Sequence, residues 1–257
     1  MAQAQLLNVE NVSRTFGGLK AVSEVNLAIN DGELVGLIGP NGAGKTTLFN
    51  LLTGVYEPSS GKVSLDGAVV NGMKPYQITK RGAARTFQNI RLFGNMTVLE
   101  NVLVAYHMHA KHGLFTSFLR LPGHFKGEED MKQKAIEFLK IFKLEHKADE
   151  IAKNLPYGEQ RRLEIARALA AKPKLLLLDE PAAGMNPQET VELMNLIRWI
   201  RDEFKITILL IEHDMGLVMG VCERIYVLDR GQIIASGTPE EIRANPKVIE
   251  AYLGQEV

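Results

Sequence analysis

The segment Leu34 to Thr53, LVGLIGPNGAGKTTLFNLLT, decides the fold. Leu34 to Ile38 reads as a buried strand, the glycines after it as a loop, and Lys45 as the opening of a helix. Gly39, Pro40, Asn41, Gly42, Ala43, Gly44, Lys45 and Thr46 match the phosphate-loop pattern G-x-x-x-x-G-K-[ST] in full, with Thr47 directly behind them. Glycines let the backbone turn tightly enough for successive N–H groups to converge on phosphate oxygens. The helix starting at Lys45 adds its dipole and its free N–H groups to the same anion. Lys45 brings a point charge to the β- and γ-phosphates, and the Thr46 hydroxyl can ligate Mg²⁺. From average glycine usage, a chance match in such a chain is on the order of one in a hundred. The strand-loop-helix context makes it rarer still. The expectation is a nucleoside triphosphate site.

Working outward, 257 residues suffice for a sizeable core, either as one large domain or as a domain with a subdomain. Thirty basic and thirty acidic residues cancel. That balance gives no support for a nucleic-acid-coating surface, and no nucleic-acid partner is expected. The single cysteine, Cys222, excludes an internal disulfide, suits a reducing cytoplasm, and reads as a small buried residue. No apolar run approaches the roughly 20 residues that span a bilayer, and the N-terminus lacks the pattern of a signal peptide. The reading is a soluble, cytoplasmic chain that reaches a membrane only through a partner.

Leu6 to Val12 and Ala21 to Ile29 alternate as half-exposed strands, and Lys62 to Leu65, Asp66-Gly67 and Ala68 to Val70 give a hairpin signal. An antiparallel layer is therefore expected beside a parallel core. From about Ile78 to Ala170 the pattern turns mostly helical. Within it, residues 107–130 are irregular. His107, His109 and His112 lack a thiolate or an organised carboxylate, so no metal site is expected there. Leu114, Phe115, Phe118 and Leu119 suit either a membrane-embedded partner or this chain's own helices. Beyond Pro173 the α/β rhythm resumes: strand Leu175 to Leu178, helix Glu189 to Phe204, strand Ile206 to Ile211, and a hairpin around Asp229-Arg230-Gly231. Thr238-Pro239-Glu240-Glu241 has the form of a capping box, and Asn245-Pro246 starts a last short helix.

Strands alternating with helices imply a parallel sheet, whose functional residues gather at the strands' carboxyl ends. Lys45, the pair Asp179-Glu180, and His213 all follow such strands. Asp179 suits Mg²⁺ held through water, and Glu180 is placed to activate an attacking water. Taken alone, the pair also reads as a helix cap with a surface acid, and His213 as a hydrogen-bonded structural residue.

In this order the motifs resemble the ATP-binding-cassette ATPases of membrane transporters over almost the whole chain. Gly39 to Thr46 matches their Walker A, Leu175 to Glu180 their Walker B with its catalytic glutamate, and His213 their switch histidine. Gln88, in Thr86-Phe87-Gln88-Asn89, matches the Q-loop glutamine that senses Mg²⁺ and water. Phe16 lies where the family stacks an aromatic ring on adenine. Leu155, Pro156, Tyr157, Gly158, Glu159 and Gln160, followed by RRLEIARAL, resemble the signature motif LSGGQ, which completes a partner's site. In two places the chain departs from the pattern. Pro156 replaces the signature serine, its fixed φ suiting the first turn of the next helix, and Asn186 replaces the D-loop aspartate.

The resemblance implies an α/β fold, a P-loop (RecA-like) parallel core with an antiparallel β layer and a helical signature subdomain. Residues 1–84 and 171–257 would form the core and 85–170 the helical part. It further implies ATP and Mg²⁺ as ligands, with Thr46, Gln88 and Asp179 on the metal, partly through water. The catalytic residues would be Glu180 as general base, with His213 and Gln88. Expected partners are a second cassette subunit (a heterodimer favoured over a homodimer), two integral-membrane permeases and, indirectly, a substrate-binding protein. The expected place is the cytoplasmic face of the membrane. At finer grain, Arg85-Thr86-Phe87-Gln88, EPAAGMNP and the ending Ala251-Tyr252-Leu253-Gly254 are similar to ATPases of branched-chain amino acid importers. The expected cargo is therefore branched-chain amino acids, with urea import and lipopolysaccharide or lipid export, whose ATPases share much of this text, as the alternatives. A soluble cassette acting on ribosomes or DNA would carry tandem cassettes or a long coiled coil. A regulatory module without hydrolysis would not need Glu180 and His213.

Overall fold

The structure is a computed structural model that describes residues 5–107 and 122–253, with side chains at 5–106 and 131–252. In chain order its elements are β1 (Gln5–Phe16), β2 (Leu19–Asn30), β3 (Leu34–Ile38), α1 (Lys45–Leu52), β4 (Ser60–Leu65), β5 (Ala68–Val69), α2 (Pro75–Lys80) and β6 (Ala83–Arg85). Then come α3 (Val98–His107), α4 (Pro122–Ile141), α5 (Tyr157–Ala170), β7 (Leu175–Asp179), α6 (Pro187–Phe204) and β8 (Thr207–Ile211). The last are α7 (Met215–Val221), β9 (Arg224–Asp229), β10 (Gln232–Gly237), α8 (Pro239–Arg243) and α9 (Pro246–Leu253). They fall into two compact units, Met1–Gln88 with Lys174–Val257, and Asn89–Pro173.

The first unit holds two sheets. A six-stranded sheet runs β10-β9-β3-β8-β7-β6, parallel except for β10, and an antiparallel sheet runs β2-β1-β4-β5. β3, β7 and β8 are buried along their whole length. That burial is why their sequences are continuous apolar runs rather than alternating ones. β1 and β2 bury only part of each strand, as their mixed sequences predict. Leu7, Val9, Leu27 and Ile29 of the antiparallel layer join Leu37, Leu48, Phe49 and Leu209 in one apolar cluster.

Register then decides where chemistry can occur. Asp179 pairs with Ile211, Leu37 also pairs with Ile211, and Arg85 pairs with Leu177. The carboxyl ends of β3, β6, β7 and β8 therefore lie on one edge of the sheet. Two expectations fail: residues 122–130, read as irregular, form the first part of α4, and a strand appears where helix was read. Ala83 to Arg85 lies inside the stretch read as helical, yet it forms β6 and adds an edge strand to the parallel sheet. The chain remains non-helical up to α3.

In the second unit α3 packs on α4 and α5. Arg161 and Glu164 form a fully buried ion pair at 2.8 Å, and Glu164 Oε1 accepts the Arg91 amide at 3.0 Å. The pairing offsets a desolvation that would otherwise be costly, although the buried Arg161 Nε makes no hydrogen bond among the described residues.

Candidate active site

The phosphate loop leaves β3 at Gly39 and enters α1 at Lys45. Gly39 has φ of 152°, and a Cβ there would collide with the Leu228 carbonyl oxygen. Gly44 has φ of 105°, and a Cβ would stand 2.6 Å from the Ala21 carbonyl oxygen. Glycine is thus required at both ends of the loop, by sterics as much as by conformation. Gly39, Pro40 and Ala43 are buried, whereas Asn41, Gly42 and Thr46 are exposed and Gly44 and Thr47 half-buried. A cavity of about 430 Å³ borders the loop, lined by Asn41, Gly42, Ala43, Asp229, Arg230 and Lys247 among others.

Lys45 is buried, and its Nζ donates to the carbonyl oxygens of Gly39 at 2.6 Å and Pro40 at 3.0 Å. Burial pushes its pKa down, while Glu180 and Asp179 pull it up. The cation is thus held inside the loop by two of the loop's own carbonyl oxygens.

Asp179, the last residue of β7, is buried, and Glu180 follows it. Glu180 has φ of 46°, the left-handed region that non-glycine residues avoid, and its N–H donates to the Ile211 carbonyl at 2.9 Å. Strain of this kind, about 1–3 kcal/mol, persists where surroundings over-determine the backbone, and it clusters at functional sites. The turn aims the carboxylate so that Glu180 Oε2 accepts from Gln88 Nε2 at 2.7 Å and lies 3.6 Å from His213 Nδ1. His213 is exposed on the loop after β8. Its neighbour Glu212 is buried and accepts the amide of Ala182 at 2.7 Å. Burial pushes the Glu212 carboxyl up.

The structure therefore brings Lys45, Gln88, Asp179, Glu180 and His213 to one edge of the parallel sheet. Phe16 ends β1 partly exposed, its ring edge-on to Tyr56 at 5.2 Å and beneath the Arg14 guanidinium at 4.7 Å. Arg14 and Tyr56 as its supports were not legible, because they meet it only through tertiary packing. The signature residues belong to the second unit. Leu155 is buried, Pro156 and Tyr157 are exposed, and Gly158, Glu159 and Gln160 are half-buried at the start of α5. Gln160 Nε2 donates to the Leu155 carbonyl at 2.8 Å, and Glu159 accepts from Lys147 Nζ at 2.6 Å. Pro156 does not stand in the first turn, as expected, but one position earlier, as the residue capping α5, with φ of −54° and ψ of 151°. Its extended ψ keeps it out of the helix, while its carbonyl accepts the amides of Glu159 and Gln160, both at 3.0 Å. Asn186 caps α6, its Oδ1 accepting the Glu189 amide at 3.0 Å. Asparagine thus keeps the capping function an aspartate would have there. Cys222 is buried and its thiol is pushed up to about 12, which suits a packing role. His107, His109, His112, Leu114, Phe115, Phe118 and Leu119 lie outside the described side chains.

No group of three or more His, Cys, Asp or Glu side chains forms a metal cage among the described residues. Mg²⁺ does not need one, since it takes one or two carboxylates and completes its octahedron with water and phosphate. The Thr46 hydroxyl and Asp179 Oδ1, neither engaged in a hydrogen bond among the described residues, are the hard oxygen donors such a site uses. One arginine, not expected in the site, also enters it. Arg85 pairs with Asp179 Oδ2 at 2.7 Å.

The family model described as ABC transporter matches residues 22–183, more than half of the chain. The chain belongs to the ABC transporter ATPases. A second model, described as branched-chain amino acid ATP-binding cassette transporter, matches residues 232–257. The cassette is 51% identical over 250 residues to the high-affinity branched-chain amino acid transport ATP-binding protein LivG of Salmonella typhimurium, covering 97% of this chain and 98% of that one. It is 47% identical to BraF of Pseudomonas aeruginosa, a protein of the same description, over the same shares. Among solved structures it is similar to the ADP conformation of MJ1267, an ATP-binding cassette of an ABC transporter. That likeness has a TM-score of 0.84 and 33% identity, and covers 98% of this chain and 100% of the other. The α/β P-loop fold read from the sequence is thus the fold observed. Among the described residues this cassette has no helix long and apolar enough to cross a membrane.

Proposed function

We propose that the chain is the ATP-hydrolysing subunit of an importer of branched-chain amino acids. The carrying observation is the convergence of Lys45, Asp179, Glu180, Gln88 and His213 on one sheet edge, with Glu180 Oε2 accepting from Gln88 at 2.7 Å. Lys45 and the loop amides from Gly39 to Thr47 bind the phosphates, and Phe16 receives the adenine. Thr46, Asp179 and Gln88 would hold Mg²⁺, which would supply charge neutralisation to the triphosphate. Glu180 takes the proton of the attacking water, giving ADP and phosphate, and His213 steadies water and γ-phosphate. The cargo class rests on the 51% identity to a branched-chain amino acid transport protein.

In this reading two cassettes stand head to tail. Leu155 to Gln160 of one chain face the nucleotide held by the other, with a homologous, non-identical partner favoured. Closure on ATP drives two membrane subunits between inward- and outward-facing states at the cytoplasmic face, and a binding protein delivers the amino acid. Co-purification from the native membrane, intact-complex mass and leucine uptake into vesicles carrying the complex test this. ATP-dependent leucine uptake with two distinct cassettes is expected. ATP hydrolysis that drives only urea or lipid transport would overturn the cargo assignment.

A further inference from the structure

Asp179 and Arg85 bury their carboxylate and guanidinium against each other, with side chains 5% and 6% exposed and Nη2 2.7 Å from Oδ2. Arg85 is held through both terminal nitrogens, while its buried Nε makes no hydrogen bond among the described residues. Its Nη1 donates to Asn50 Oδ1 at 2.7 Å and Thr53 Oγ1 at 3.2 Å, and its guanidinium carbon lies 5.4 Å from the Phe49 ring centroid and 4.9 Å from that of Phe87. Phe49 and Asn50 belong to α1, the helix that carries Thr46. A planar guanidinium so packed is a preset cation with little freedom left to lose.

A buried carboxylate without a counter-charge is costly, and beside a triphosphate it also repels the ligand. A divalent cation removes both costs. Arg85 removes them without a metal ion, and it does so through Oδ2 while Oδ1 makes no hydrogen bond among the described residues. We propose that Arg85 is the standing counter-ion of Asp179, which lets the site accept a triphosphate before the metal arrives while keeping one carboxylate oxygen for the metal's water. The inference rests on the reading of Asp179 as the metal-side acid. In this role Arg85 is a positioning residue that acts through Asp179 and touches neither nucleotide nor metal.

The consequence is a specific linkage. Removing Arg85 should harm metal-free binding far more than metal-loaded binding, because Mg²⁺ supplies the missing charge only in the second case. By reciprocity, the affinity of the protein–nucleotide complex for Mg²⁺ rises by the same factor. A purely structural arginine would lower both affinities together.

The test titrates the full chain with a non-hydrolysable ATP analogue, in excess Mg²⁺ and in EDTA, and compares the two dissociation constants. For Arg85→Met the EDTA-to-Mg²⁺ ratio should rise about tenfold or more, the order expected of one charge pair at protein-like dielectric. Arg85→Lys, which keeps the charge and loses the fork, should restore most of the wild-type ratio. An unmoved ratio in Arg85→Met overturns the inference. Should that variant not fold, Asp179→Asn decides: it leaves Arg85 an uncompensated cation and should tighten binding in EDTA, whereas unchanged binding there overturns the inference. Wild-type binding in neither arm would sink the ATP-site reading along with it. Wild-type binding in both arms with no shift in either variant sinks this inference alone.

Discussion

Gln88 and Glu180, 92 residues apart, meet in a 2.7 Å hydrogen bond from Nε2 to Oε2. Gln88 is the last residue of the first unit before the chain enters the second. The proposed base is thus tethered to the point where the two units join in sequence.

Gln88→Ala is accordingly expected to leave ATP affinity intact while uncoupling hydrolysis from transport. A hydrogen bond to a charged group contributes about 1.5–3 kcal/mol, so substrate-stimulated turnover should fall by roughly ten- to a hundredfold. Full stimulation of the reconstituted complex carrying Gln88→Ala would remove this tether from the mechanism.

The loop glycines should differ in a way their shared motif does not suggest. A methyl at Gly39 meets the Leu228 backbone, which cannot withdraw without disturbing β9, whereas a methyl at Gly42 meets nothing within 4 Å. Gly42→Ala should carry only the left-handed penalty of about 1–2 kcal/mol. Gly39→Ala should lower the melting temperature further and abolish nucleotide binding. Equal losses in the two variants would contradict the steric argument.

Pro156 caps α5 without a side-chain acceptor. Pro156→Ser places a hydroxyl there and should stabilise α5 by about 1 kcal/mol, as a favoured capping residue does. The same hydroxyl would be available to a partner's γ-phosphate, so ATP-driven dimerisation should tighten as well. Thermal unfolding separates the two effects, because only the capping effect appears in the monomer without nucleotide. A monomer no more stable than wild type would show that the proline carbonyl already satisfies the helix start.

Much of the site was legible because its motifs are local. The phosphate loop, the Asp179-Glu180 pair and the Thr238–Glu241 capping box each occupy a few consecutive residues with fixed chemical roles, and the capping box forms as written. What was not legible depends on distance or on context. Arg85 finds Asp179 94 residues away, and a three-residue strand such as Ala83–Arg85 is too short to show a period of two. The seven residues of α7, MGLVMGV, carry two glycines and no polar face, so they gave no helical signal. The left-handed turn at Glu180 runs against glutamate's own preference, and only the packed ends of β7 and β8 impose it.

The most direct test of the account is ATP hydrolysis by the purified complex carrying Glu180→Gln. Glutamine keeps the shape at Gln88 and His213 but cannot take a proton from water. Turnover should fall by roughly the 10²–10⁴ ascribed to a positioned base, with ATP affinity intact and an ATP-bound dimer accumulating. Hydrolysis at the wild-type rate would contradict the central claim that Glu180 activates the water.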